Sequence, residues 1–294
     1  MIDPSTKFVA IVGPTATGKT GLAIALAQEF NGEIVCADSR TIYRGMDIGT
    51  AKPTAEERAL VPHHLLDIVD PGERLSSAEF KRLADTAINE IAGRGRLPIL
   101  VGGSGLYVDA VLFAYEFGNE ADPERRGELD ILSDEQLRMM LAEVDAEAFA
   151  RVDLGNRRRV IRAIETVGDA PSRRAEMIPQ ALVLGTTLNK EFVQKRIEKR
   201  IEKMLEEGII REVRTIGETY GWESSALEVV GYRAFTGLVL GTKTLEQARA
   251  DCLREHMAIF KKQVTWFKRH EGIKWTSDTR QAEGLVREFL GTGL

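Results

Sequence analysis

Phe8-Val9-Ala10-Ile11-Val12 is an unbroken apolar run, short and rich in β-branched and aromatic side chains, so it predicts a strand covered on both faces. A glycine-bearing turn follows, then residues 21–27, GLAIALA, whose alanines and leucines favour helix. The same rhythm returns downstream. Residues 33–37 predict a second strand, 65–69 a short one, and 97–101 another that ends on Gly102-Gly103, with a helix over 77–93 between them. Strands alternating with helices predict right-handed crossovers and a parallel sheet.

Over residues 115–179 the strand signal fades, while 134–150 and 156–167 carry apolar positions at helical spacing. Residues 181–185 restore a strand, and 190–208 and 244–269 predict long charged helices. The expected organisation is a sheet-bearing catalytic core from 1–114 and 181–294, with 115–180 as a helical insertion.

Composition narrows the class without naming a function. Of 294 residues, 43% are apolar and 29% charged, a globular balance that excludes collagen-like and wholly disordered chains. A net charge of −5 means that nucleic-acid contact must use local basic patches. Apolar runs fall far below a membrane span and the N-terminus lacks the pattern of a secretory signal, so a cytoplasmic protein without membrane contact is expected. Cys36 and Cys252 have neither disulfide-framework nor metal spacing and are expected to be buried small apolar residues.

The turn after the first strand, Gly13-Pro14-Thr15-Ala16-Thr17-Gly18-Lys19-Thr20, fits G-x-x-x-x-G-K-[ST] in full, between a strand and a helix. Loop N–H groups and the helix N-terminus can wrap a di- or triphosphate, Lys19 can neutralise its oxygens, and the Thr20 hydroxyl can ligate Mg²⁺. The fold class expected is therefore α/β: a P-loop NTPase-like parallel sheet flanked by helices, with an inserted helical subdomain. Asp38, just past the second strand, stands at the carboxyl edge where doubly wound sheets bind ligands; it is the candidate base, with an Mg²⁺ partner or helix cap as the alternatives. Ser104, past the strand at 97–101, is a candidate hydroxyl donor or, equally, a helix cap.

The phosphate loop, Asp38-Ser39-Arg40-x-x-Tyr43, Met46-Asp47-Ile48-Gly49-Thr50-Ala51-Lys52-Pro53 and Gly102-Gly103-Ser104-Gly105-Leu106-Tyr107 occur in an order and spacing that resembles the tRNA dimethylallyltransferases, also called tRNA isopentenyltransferases. Arg157 to Glu165, Gly231-Tyr232-Arg233 and Lys262-Gln263-x-Thr265-Trp266-Phe267 extend the resemblance over nearly the whole chain. It implies transfer of a dimethylallyl group from dimethylallyl diphosphate, with Mg²⁺, to N6 of the adenosine 3′ of the tRNA anticodon. By the same resemblance Asp38 takes or orients the N6 proton, Ser104 (usually Thr) hydrogen-bonds near the reacting centre, and Arg196 joins Lys19 on the leaving diphosphate. Asp38, Ser39, Arg40 and Thr41 (usually Gln) would line the base pocket. Arg126, Arg158, Arg159, Val160, Ile161 and Arg162 would contact the anticodon stem-loop.

Residues 151–174 hold seven arginines against three acids, and 254–270 hold five Lys or Arg against one Glu, which suits gripping an RNA backbone although solvated helix faces look alike. Trp266 and Phe267 are candidate stacking residues or, more commonly, core; His63 and His64 are expected to be structural. The competing readings are an isopentenyltransferase acting on AMP, ADP or ATP, which has no use for basic surfaces, and a small-molecule kinase using Asp38 as base. One active site per chain predicts a monomer with no obligate protein partner.

Overall fold

The computed structural model describes residues 1–118, 122–168, 171–187, 189–276 and 278–292. These form two compact units, Met1–Leu112 with Met177–Leu294, and Phe113–Glu176.

The larger unit is built on six parallel strands in the order β3-β2-β4-β1-β5-β6. From the N-terminus run β1 (Phe8–Val12), α1 (Lys19–Glu29), β2 (Gly32–Cys36), α2 (Ala55–Leu60), β3 (His63–His64), α3 (Ser77–Gly93), β4 (Leu97–Gly102) and α4 (Gly105–Leu112). All five residues of β1 are buried, as an apolar run in a central strand requires. α3 begins with a capping box between Ser76 and Glu79, and it lays Phe80, Ala84, Ile88 and Ile91 inward at helical spacing.

In the smaller unit, α5 (Pro123–Asp130), α6 (Asp134–Val144), α7 (Ala146–Arg151) and α8 (Arg157–Glu165) enclose a core of Leu129, Leu137, Leu141, Val160, Ile161 and Ile164. The single helix expected over 134–150 is two, because the Asp145 carboxylate caps α7 by accepting from the Ala148 N–H at 2.8 Å.

The chain then returns to the larger unit through β5 (Ala181–Gly185), α9 (Lys190–Glu207), α10 (Ile209–Tyr220), α11 (Arg233–Val239), α12 (Leu245–Phe267), β6 (Lys274–Trp275) and α13 (Thr279–Leu290). Helices α9 to α12 share a core with Tyr232 and Phe235 at its centre, both with no exposed surface. One expected strand is displaced. Residues 65–69 do not form it; Leu65 and Asp67 have positive φ, and the edge strand is His63–His64 instead. β6, only two exposed residues long, and α13 carry no strong apolar run and were not expected.

Two close approaches set the level at which the strands end. A Cβ on Gly13 would lie 2.3 Å from the Thr186 carbonyl oxygen, and one on Gly102 would lie 1.9 Å from that of Ala37. Only glycine permits β2 and β4 to meet so closely just before Asp38 and Ser104. Gly102→Ala is expected to destabilise the protein by about 2 kcal/mol through overpacking, read as a lowered urea midpoint; an unchanged midpoint would show that the strand ends have room to part.

Candidate active site

The phosphate loop leaves β1 and returns into α1 with Ala16 at φ 62° and Gly18 at φ 96°, the curl that turns successive N–H groups inward. Thr17 braces it, donating to the Pro14 carbonyl at 2.8 Å and sharing a 2.7 Å hydrogen bond with Thr186 on the β5 side. The Lys19 ammonium donates to the Pro14 carbonyl at 2.6 Å. Burial pulls Lys19 down to about 8, a shift that Asp38 opposes and Arg200 reinforces. Gly13, Pro14 and Thr17 build the loop, while Thr15, Ala16, Gly18, Lys19 and Thr20 line a cavity of about 370 Å³.

Asp38 and Ser104 are brought together as the sheet edge predicts. The Ser39 N–H donates to Ser104 Oγ at 2.8 Å, Ser104 Oγ–H reaches Ser39 Oγ at 3.1 Å, and the Arg40 N–H donates to Asp38 Oδ1 at 2.9 Å. Ser104 thus clasps the Asp38 turn instead of capping α4. Asp38, Ser39, Arg40 and Ser104 line a second cavity of about 230 Å³, whereas Thr41 lines the first one, beside Asp38. Five residues belong to both cavities: Thr15, Asp38, Thr50, Arg200 and Gln263.

Three of those five, Thr50, Arg200 and Gln263, were not singled out as site residues from the sequence. Arg196, the expected diphosphate arginine, is exposed, donates to the Ala16 carbonyl at 3.2 Å and lines neither cavity. Arg200, one turn further along α9, enters the cavities and donates to Thr15 Oγ1 at 3.1 Å. Burial lowers its pKa and Arg196 adds to this, with Asp38 opposing. Its signal in the sequence is an arginine on the apolar stripe of Val193, Ile197, Ile201 and Met204. Gln263 on α12 accepts from the Thr15 N–H at 2.8 Å and donates to the Gly103 carbonyl at 2.9 Å, so one amide ties the phosphate loop to the loop carrying Ser104.

The wall formed by residues 46–53 is held by Glu212. Its carboxylate accepts the N–H groups of Asp47, Ile48 and Gly49 at 3.0–3.1 Å and the Tyr232 hydroxyl at 2.6 Å. Tyr232 packs so tightly on Gly49 that a Cβ there would lie 2.4 Å from its ring. Lys52, whose side chain is 1% exposed, donates to Asp47 and Asp67, both at 2.6 Å.

The remaining expectations fall out as follows. Phe267 is fully buried, and Trp266 packs on Gly105 with its indole N–H donating to the buried Asp109 at 3.1 Å. His63 and His64 form the edge strand; His64 pairs with Glu33, and His63 also lines the larger cavity. Both cysteines are buried with thiols pushed up to about 12 by burial, which leaves them unreactive. In the smaller unit, Arg158 and Arg159 are exposed, Arg126 and Arg162 pair with Glu165, and the Val160 and Ile161 side chains fill the core.

A Thr20 hydroxyl and an Asp38 carboxylate on one cavity fit Mg²⁺, a hard cation that takes a few protein oxygens alongside phosphate and water. No cluster of three or more His, Cys, Asp or Glu suited to a metal occurs among the described residues. Among those residues, no helix is long and apolar enough to cross a membrane.

Residues 41–270 match the family model described as IPP transferase. A tRNA dimethylallyltransferase of Roseiflexus sp. is 44% identical over 300 residues, spanning 96% of this chain and 98% of its own. The solved tRNA isopentenylpyrophosphate transferase of Bacillus halodurans is 38% identical with a TM-score of 0.74, covering 98% of this chain and 96% of that one. A eukaryotic dimethylallyltransferase solved acting on tRNA is 25% identical with a TM-score of 0.87, covering 99% and 81%. The family match and these near full-length similarities mean that the chain belongs to the IPP transferase family, that of the tRNA dimethylallyltransferases.

Proposed function

We propose that this chain transfers the dimethylallyl group of dimethylallyl diphosphate to N6 of the adenosine 3′-adjacent to a tRNA anticodon, giving N6-isopentenyladenosine. The observation that carries the reading is the shared wall of two cavities, one built on the phosphate loop and the other on Asp38 and Ser104. The larger cavity takes the donor and the smaller takes the base, so that the reacting atoms meet beside Asp38. A target base must leave its stack to enter such a pocket.

The N6 lone pair forms a bond to the allylic C1 as the C1–O bond breaks, and the bonding electrons depart on the diphosphate. Asp38 accepts the N6 proton. Loop N–H groups, the N-terminus of α1, Lys19 and Arg200 hold the charge that builds on the leaving group. Mg²⁺, held through Thr20, would supply additional charge neutralisation when bound. Gln263 keeps donor and acceptor loops at a fixed separation, the kind of positioning in which a 1 Å error costs about 10²-fold.

The smaller unit's arginines support its use as a grip on the anticodon stem-loop, through Arg126, Arg158, Arg159 and Arg162. Both cavities come from a single chain, which supports a monomer, and a tRNA substrate suits a cytoplasmic enzyme. The rival reading, transfer to AMP, ADP or ATP, leaves those arginines without a task, and a small-molecule kinase leaves the family match over 41–270 unexplained.

Labelled dimethylallyl diphosphate with Mg²⁺, offered to unmodified tRNA and to AMP in parallel, is expected to label only tRNA; label in AMP alone, or ATP turnover without transfer, would overturn the proposal. Asp38→Asn is expected to lower turnover by about 10²-fold or more while tRNA binding persists. Gln263→Leu is expected to lower kcat by about tenfold to 10²-fold, with a smaller effect on donor affinity, in steady-state assays.

Lys19 supplies a pH signature. Its charge is present at neutral pH and is lost as pH rises through about 8, so donor affinity should weaken there instead of above pH 10. Bound diphosphate raises the Lys19 pKa again, so binding near pH ~8.5 takes up a proton. Calorimetry in two buffers of different ionisation enthalpy measures that uptake; Lys19→Ala should abolish it, and its absence from the wild type would contradict the assignment.

A further inference from the structure

The smaller cavity contains a group that the transfer chemistry above does not use. His256, on α12 and 7% exposed, lines this cavity together with Asp38, Ser104 and Arg200. Its Nδ1 lies 2.9 Å from the Cys252 carbonyl and 3.5 Å from Cys252 Sγ. A carbonyl oxygen can only accept, so Nδ1 carries the hydrogen. Burial, reinforced by Arg200, lowers the ring's pKa to about 4, so it is neutral at physiological pH. In that tautomer Nε2 bears a lone pair, and no group among the described residues is hydrogen-bonded to it. The Nδ1 edge is turned back onto its own helix, which leaves Nε2 for the cavity.

The other polar groups around this cavity are largely committed. Arg40, Lys262 and Arg200 have only hydrogens to give. Gln263 uses both ends of its amide on the two loops, and the Ser39 and Ser104 hydroxyls engage each other. Thr15 Oγ1 receives Arg200, and Thr50 Oγ1 donates to the Met46 carbonyl. These hydroxyls keep lone pairs but also carry hydrogens, whereas the Asp38 carboxylate and His256 Nε2 are the side-chain groups around the cavity that can only accept. An adenosine presents hydrogens in two places, the N6 amine and the ribose 2′-hydroxyl. Asp38 has work for one N6 hydrogen, and a second acceptor suits the other hydrogen or the hydroxyl.

Resting on the reading that this cavity receives the acceptor nucleoside, we propose that His256 is a specificity-determining residue whose Nε2 accepts a hydrogen bond from that nucleoside. The geometry makes His256 a reader of the acceptor alone, because it lines the smaller cavity and not the donor cavity.

The test is steady-state transfer to an anticodon stem-loop RNA by the full chain, comparing wild type, His256→Phe and His256→Gln. The ring without an acceptor should raise the KM for RNA about tenfold, as expected for one lost hydrogen bond in a closed pocket. The KM for dimethylallyl diphosphate and the melting temperature should stay near wild type. Glutamine, which offers an oxygen acceptor, should restore the RNA KM to within about threefold of wild type. A stem-loop with 2′-deoxyadenosine at the acceptor position then separates the two sources of the hydrogen. If wild type weakens and the Phe variant loses nothing more, the hydroxyl is the donor; no loss in either, or a loss that adds to that of the variant, assigns the amine. An unchanged RNA KM in His256→Phe, or equal rises in both KM values without rescue by glutamine, would overturn the role of His256. Absence of transfer by the wild type would overturn both this role and the acceptor reading.

Discussion

Everything at this site depends on how closely the backbone packs where three parallel strands end. Gly13, just past β1, lies against the Thr186 carbonyl just past β5, and Gly102, at the end of β4, against that of Ala37 just past β2. From those ends spring the phosphate loop, the Asp38 turn and the Ser104 loop. None of the three is long enough to wander, and each is pinned by a neighbour: Thr17 by Thr186, Ser39 by Ser104, and Thr15 and Gly103 by the single amide of Gln263. Helix α12 therefore acts on the site through neutral groups as well as through Lys262, which lines the smaller cavity. Its Gln263 sets spacing, its Trp266 packs on Gly105, and its His256 faces the smaller cavity.

That packing also concentrates charge in a confined space. Burial depresses the pKa of both Lys19 and Arg200 against the opposing pull of Asp38, and Arg200 lowers that of Lys19 further. A site with two such cations against one carboxylate suits an anion, as the proposed diphosphate donor would be. The same loss of solvation that weakens the free lysine's hold on its proton strengthens each hydrogen bond to a bound phosphate. The wall at residues 46–53 follows a different rule. It is irregular backbone that would otherwise need water, and the Glu212 carboxylate satisfies three of its N–H groups while Tyr232 fills the space above Gly49.

The sheet and the phosphate cradle were legible because they rest on local signals. An apolar run fixes β1, and four motif positions fix the loop at 13–20. Asp38 and Ser104 were legible through topology, since both follow strands of one parallel sheet. Arg200 and Gln263 were harder. Their importance lies in contacts 185 and 248 residues away in sequence, which no periodicity reports. An arginine on an apolar stripe was the available hint for the first, whereas the resemblance points to Arg196, its more exposed neighbour. The break at Asp145 was missed because apolar spacing continues across it while the cap interrupts the hydrogen-bond ladder. The strand at 63–64 and the exposed β6 are too short to carry a pattern at all.

The most direct measurement of the central claim is a crystal structure of the chain with a non-hydrolysable thio analogue of dimethylallyl diphosphate and a tRNA anticodon stem-loop. The account predicts the diphosphate in the curl of residues 13–20, the Lys19 ammonium moved from the Pro14 carbonyl onto a phosphate oxygen, and the allylic carbon within about 3–3.5 Å of N6 beside Asp38. A diphosphate seated away from that loop, or an allylic chain directed away from Asp38, would contradict it.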